Sequence, residues 1–148
     1  MKKSGFTLIE LLVVIAIIGL LSSIVLGQLN ESRKKAESAR IKLELSSLRR
    51  AAAIYYENQN PNGYGGNTNN CTTPNRIFTA DTVVAGLIAS IDSIAGVSVE
   101  CRANTTYFVV SANLVGILNS NADNWCVDNA GASKAIADPI DNSATACP

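Results

Sequence analysis

The carboxylate of Glu10 stands where a charge needs a chemical reason. From Phe6 to Leu26 the chain is apolar apart from Thr7, Glu10, Ser22 and Ser23. A helix of that length spans about 31 Å, matching a bilayer hydrocarbon core of about 30 Å. An ionised acid inside such a span is costly and is by default a functional group in need of a partner. A cut between Gly5 and Phe6 would supply one. It would create an α-ammonium at Phe6, in the same apolar layer, and the two charges would offset part of each other's burial cost. That is the chemistry of recognition, not of turnover.

Four cysteines, Cys71, Cys101, Cys126 and Cys147, all follow the apolar run. None forms a C-x-x-C, and the chain has no histidine, which argues against a zinc site. An even number of cysteines in a small domain with a thin core points to two disulfides and an oxidising compartment. No phosphate loop, Ser/His pairing or nucleophile motif is present, so no enzyme activity and no cofactor are expected. Asp123, Asp128, Asp138 and Asp141 lie in loop-like sequence, but the ligand order of a calcium loop is missing, and they read as solvated turn acids. Asn70-Cys71-Thr72 and Asn104-Thr105-Thr106 fit the glycosylation sequon, a pattern common by chance. Tyr55, Tyr56, Tyr64 and Tyr107 read as packing residues.

These groups must be positioned by two kinds of sequence. The 148 residues carry 12 basic and 12 acidic side chains. The apolar excess sits in the first thirty positions, and the remainder is rich in Asn, Ser, Thr and Ala. Arg33, Lys34, Lys35, Arg40, Lys42, Arg49 and Arg50 form a basic stretch interleaved with Glu31, Glu37 and Glu44. It reads as the solvated face of a membrane-proximal helix and not as a specific nucleic-acid site. Ile41, Leu45, Leu48, Ala52 and Tyr55 fall at i, i+4, i+7, i+11 and i+14, one apolar stripe. No Gly or Pro occurs from Glu31 to Tyr56, so the spacing predicts one helix from Phe6 to Glu57, about 78 Å long. It should end in the breaker-rich Asn58-Gln59-Asn60-Pro61-Asn62-Gly63.

A Gly/Asn/Thr-rich loop over 61–76 follows. Thr79 or Asp81 caps a short helix with Val84, Leu87, Ile88 and Ile91 on its buried face. Val97, Val99, Cys101 and Ala103 alternate as a strand does. Residues 106–112 should pair with it across a turn at Asn104-Thr105. Shorter strands are expected at 125–127 and 133–136, and the rest is an irregular tail held only by Cys147.

Lys2-Lys3-Ser4-Gly5 followed by Phe6-Thr7-Leu8-Ile9-Glu10 and an uninterrupted apolar run resembles the N-terminal methylation motif of type IV prepilins and type II secretion pseudopilins. The resemblance covers roughly residues 2–29. It implies an α+β pilin fold: a long N-terminal α-helix, transmembrane in its first half, packed on a small antiparallel sheet and stapled by disulfides. It implies a leader at 1–5, a membrane and filament-core segment at 6–29, an amphipathic half-helix at 30–57 and a globular head at 58–148. Gly5 would precede the cut made by a prepilin peptidase, Phe6 would be N-methylated, and Glu10 would pair with the Phe6 amine of a neighbouring copy. Many pilins carry proline where this chain has Gly27. Glycine costs about 1 kcal/mol in a helix against about 3 for proline, so Gly19 and Gly27 are weaker candidates for local unwinding. Trp125-Cys126-Val127-Asp128-Asn129 and Gly131 resemble a pilin motif associated with a C-terminal cysteine. Of the three possible pairings, Cys71–Cys101 with Cys126–Cys147 is favoured, each closing a loop of about 20–30 residues worth about 3–4 kcal/mol.

Three functions remain open. The chain is a pilus subunit serving adhesion, motility or DNA uptake, a pseudopilin of a secretion system, or a tethered extracytoplasmic binding domain. Glu10 speaks against the last. The resemblance implies as partners other copies, minor pilins, the peptidase, an inner-membrane assembly platform and lipid. It also implies a single-pass precursor with its head outside the cytoplasm, and then a surface filament.

Overall fold

The computed structural model describes residues 5–116 and 123–148, with nothing described of the side chains at 26 and 27. The basic start expected of a leader, Lys2 and Lys3, lies outside the described residues. Among the described residues seven elements follow one another: α1 (Leu8–Asn58), α2 (Ile77–Ala80), α3 (Thr82–Asp92), β1 (Val99–Ala103), β2 (Phe108–Asn113), β3 (Asn124–Asp128) and β4 (Ser133–Ile136). The chain divides into two compact units, up to Lys34 and from Lys35 onward.

The first unit is the early part of α1. Its described large apolar side chains, from Leu8 to Val25 and again at Leu29, are exposed, Leu8 by 77% and Leu20 by 69%. The helix is long and apolar enough to cross a membrane. Such a surface is stable only against lipid or other apolar chains.

The second unit is built on the stripe read from the sequence. Ile41, Leu45, Leu48 and Ala52 are each fully buried, and Tyr55 packs against the same cluster. Their cluster includes Phe108, Val110, Ala112 and Val127 from one face of the sheet. The sheet is an antiparallel meander in the order β1-β2-β3-β4, with Cys101 opposite Val110, Ser111 opposite Cys126 and Cys126 opposite Lys134. Strand alternation sends Val109, Cys126 and Ile136 to the other face, where Ile140 joins them and Ala144 and Cys147 pack alongside. The sheet is therefore covered on both faces, by α1 and by the C-terminal segment.

Asp81 caps α3, its Oδ1 accepting from the N–H groups of Val83 at 2.9 Å and Val84 at 2.8 Å. Val84, Ile88 and Ile91 are buried, while Leu87 is half-buried. Asn104 makes the expected turn, its Oδ1 accepting from Thr106 N–H at 2.7 Å and Tyr107 N–H at 2.8 Å. The periodic reading missed α2, a single turn that buries Ile77 and Phe78, because four residues carry too little period to be seen.

The tail is held by more than Cys147, a correction to the sequence reading. Arg102, 5% exposed, donates to the carbonyl of Asp141 at 3.2 Å and to Asn142 Oδ1 at 2.7 Å. It also donates to the carbonyls of Asn69 and Cys101. Ile140 N–H donates to Ser111 Oγ at 3.2 Å. One buried guanidinium thus joins the tail to the loop before α2, and its planar fork suits several acceptors at once.

Tyr64 sits between Tyr56 and Phe108, with ring centroids 4.8 and 5.0 Å away. Burial pushes its phenol above the ordinary value of 10.0, and the charges of Tyr56 and Glu57 add to the effect. The folded state therefore favours the neutral phenol. Its contribution is intact below the ordinary value and is lost as pH rises through the raised folded value. Tyr64→Phe should keep the ring packing and flatten this alkaline loss. Urea unfolding followed by Trp125 fluorescence from about pH 8 to about pH 11 checks it; an unchanged pH slope in the variant would refute it.

Candidate functional site

Thr7 and Glu10 bracket the first turn of α1, in the T-x-x-E spacing of a capping box. Glu10 Oε2 accepts from Thr7 N–H at 2.8 Å and from Thr7 Oγ1 at 2.7 Å. Thr7 Oγ1 in turn lies 3.4 Å from Glu10 N–H. Glu10 thus has a local use that the sequence reading overlooked, although the spacing displays it. Its negative charge also lies in the first turn, where the helix dipole favours an acid. The cap uses one carboxylate oxygen, and among the described residues Oε1 is left for an external donor.

Phe6 is 79% exposed and lies beside Ile9, Val13 and Val14 along a shallow apolar concavity that also includes Glu10. The junction, the acid and the apolar surface are thus adjacent. A Cβ placed on Gly5 would meet nothing within 4 Å, and the same holds for Gly19. Neither glycine is required by close packing of the chain itself. A need for Gly5 must then come from an outside partner. The helix α1 is a single element through positions 19 and 27.

The four cysteines are brought together in pairs, Cys71 with Cys101 and Cys126 with Cys147. The first ties the loop before α2 to β1, and the second ties the tail to β3. Asp128, 2% exposed, stands at the second staple. Its Oδ2 accepts from Cys147 N–H and its Oδ1 from Ala132 N–H, both at 2.9 Å. Asp141 accepts from the N–H and O–H of Ser143, which hold its carboxyl below the usual range. Among the described residues, no group of three or more His, Cys, Asp or Glu side chains is placed to hold a metal ion. Trp125 stacks under Lys42, whose Nζ lies 4.7 Å from the ring centroid, a cation–π contact between residues far apart in sequence.

Residues 1–26 match the family described as the prokaryotic N-terminal methylation motif. The chain is similar to fimbrial protein EcpB of Eikenella corrodens, 48% identical over 50 residues, which are 34% of this chain and 31% of that protein. It is also similar to type II secretion system core protein G of Aeromonas hydrophila, 37% identical over 54 residues, 36% of this chain and 38% of that one. The protein of the same name in Escherichia coli (strain K12) is 39% identical over 54 residues, 36% and 37% of the two chains. The chain spans about a third of the length of the curated relatives it matches. No solved structure matches it.

Proposed function

We propose that the chain is a structural subunit of a type IV pilus or pilus-like filament, made as a membrane precursor and polymerised through its N-terminal helix. The observation that carries this reading is Glu10, an acid in an apolar helix and beside the Gly5–Phe6 junction, within a segment that matches the methylation motif. In this reading residues 1–5 are a leader removed by a prepilin peptidase, and residues 6–29 span the membrane and then line the filament core. Residues 30–57 are the amphipathic half of the helix, and residues 58–148 form the globular head. Phe6 becomes the methylated first residue, and its ammonium pairs with Glu10 of a neighbouring copy. The head lies outside the cytoplasm, where its disulfides form. Gly19 and Gly27 are the points where α1 gives way if the filament requires it. The chain catalyses nothing itself; the peptidase and the assembly platform act on it.

A second reading is a pseudopilin of a type II secretion system, favoured by the likeness to the core proteins G. Deletion of the gene separates the two. Loss of sheared surface filaments with normal exoprotein release marks a pilin, and the reverse marks a pseudopilin. A membrane-tethered binding domain explains the span but gives Glu10 no use beyond its cap.

Processing tests the proposal directly. The intact mass of protein taken from the membrane should lack Met1 to Gly5 and carry one added methyl on Phe6. A chain that begins at Met1, or near Ser23 as a secretory signal would leave it, overturns the filament reading.

A further inference from the structure

Seven basic residues lie between positions 33 and 50 of α1, and the structure separates them. Arg40 pairs with Glu44 at 2.8 Å and donates to Ser90 Oγ at 2.6 Å. Lys42 covers Trp125, and Arg49 donates to the carbonyl of Gly131 at 2.5 Å. Arg50 donates to Ser47 Oγ at 2.9 Å, and Lys35 is also engaged. Arg33 and Lys34 are both exposed, and neither makes a hydrogen bond or ion pair among the described residues. Among the described residues the basic run is therefore a set of engaged cations preceded by two uncommitted ones.

Their place along the helix is informative. Arg33 lies four residues past Leu29, the last large apolar residue of the exposed run, which is about 6 Å of helix rise. The headgroup layer adds about 5–7 Å to each side of the hydrocarbon core. Successive helical residues turn by about 100°, so Arg33 and Lys34 leave the helix in clearly different directions. A protein partner reads one face of a helix, whereas a headgroup layer surrounds it. In the proposed topology these cations also sit on the extracytoplasmic side, against the charge bias that orients spanning helices. Once the leader with Lys2 and Lys3 is removed, they are the cluster that flanks the span.

We propose that Arg33 and Lys34 form a collar that binds the anionic phosphate headgroups of the outer leaflet around the unassembled subunit. The collar rests on the membrane-spanning reading given above. It holds the waiting subunit at a defined depth, with Phe6 and Glu10 inside the apolar layer. Leaving the membrane for a filament then means exchanging phosphate contacts for subunit contacts.

The test uses the full mature protein reconstituted in phosphatidylcholine vesicles that contain spin-labelled phosphatidylglycerol or phosphatidylcholine. The fraction of motionally restricted lipid reports the spanning helix, whatever the headgroup. Phosphatidylglycerol should be favoured over phosphatidylcholine by roughly two- to fivefold at low salt. The preference should fall toward one in about 1 M NaCl, where the screening length is about 3 Å, and in R33Q/K34Q. A wild-type preference of one, or a preference that survives in R33Q/K34Q, overturns the collar and leaves the spanning reading intact. Absence of any restricted lipid overturns the spanning reading itself. Salt-sensitive capture of duplex DNA by sheared filaments, lost in R33Q/K34Q without any headgroup preference, would assign the two cations to nucleic acid and overturn the proposal.

Discussion

Glu10→Gln should give a subunit that inserts and is cut normally but forms little or no filament. The substitution isolates one of two roles. Glutamine keeps the side-chain oxygen that the capping box requires, so the Thr7 contacts and the start of α1 survive. Insertion should improve, because a charge leaves the apolar layer. Cutting should persist, because the Gly5–Phe6 junction is unchanged. What is lost is the counter-charge for the Phe6 ammonium, and breaking a buried pair by removing one partner is strongly destabilising. Each subunit addition should weaken by at least roughly a hundredfold. Glu10→Ala should be as defective or worse, because it removes the cap together with the charge. The measurement is mature protein in the membrane fraction set against sheared filaments, in cells that lack the native copy. Normal filament yield from Glu10→Gln would reduce Glu10 to a helix cap and move the tethered-domain reading ahead.

Removal of the Cys126–Cys147 staple should cost the head about 3 kcal/mol. The two residues are 21 apart, and closing a loop of that size in the unfolded chain removes entropy worth about that much. The native state should hold its geometry at first, because Arg102 and Ser111 still grip the segment around residues 140–142. The end of the tail should fray, since Cys147 N–H donates to Asp128 and little else anchors that end. Asp128 would then be a buried carboxylate with one donor fewer, an added penalty. Urea unfolding of C126A/C147A in detergent, followed through the single tryptophan at position 125, measures the loss. A change below about 1 kcal/mol would show that Arg102 holds the tail without the disulfide. The variant should still be cut and methylated, because those reactions concern only the N-terminal junction.

The stripe Ile41, Leu45, Leu48, Ala52 was readable because a helix repeats every 3.6 residues, and burial of one face leaves a periodic trace. The strands were readable for the same reason at period two, with ends displaced by a few residues where Val97 and Tyr107 lie just outside β1 and β2. Helix α2 was not readable, since one turn has no period. The capping box of Thr7 and Glu10 was visible as spacing but was hidden behind the more conspicuous question of a buried charge.

The sequence alone determined that a carboxylate sits in an apolar span beside a Gly–Phe junction, that one long helix follows, and that the cysteines lie beyond it. Each of these is a local property, written in residue types and short spacings. Tertiary structure decided which cations the head consumes, since Lys42 meets Trp125 and Arg49 meets Gly131 only after the sheet has packed on α1. It decided that Arg102, 39 residues before Asp141, grips the tail. Contacts between residues so distant in the chain depend on which surfaces the fold brings together, and no local pattern encodes that. Arg33 and Lys34 look like their basic neighbours in the sequence; only the folded chain shows, among the described residues, the neighbours occupied and these two left over.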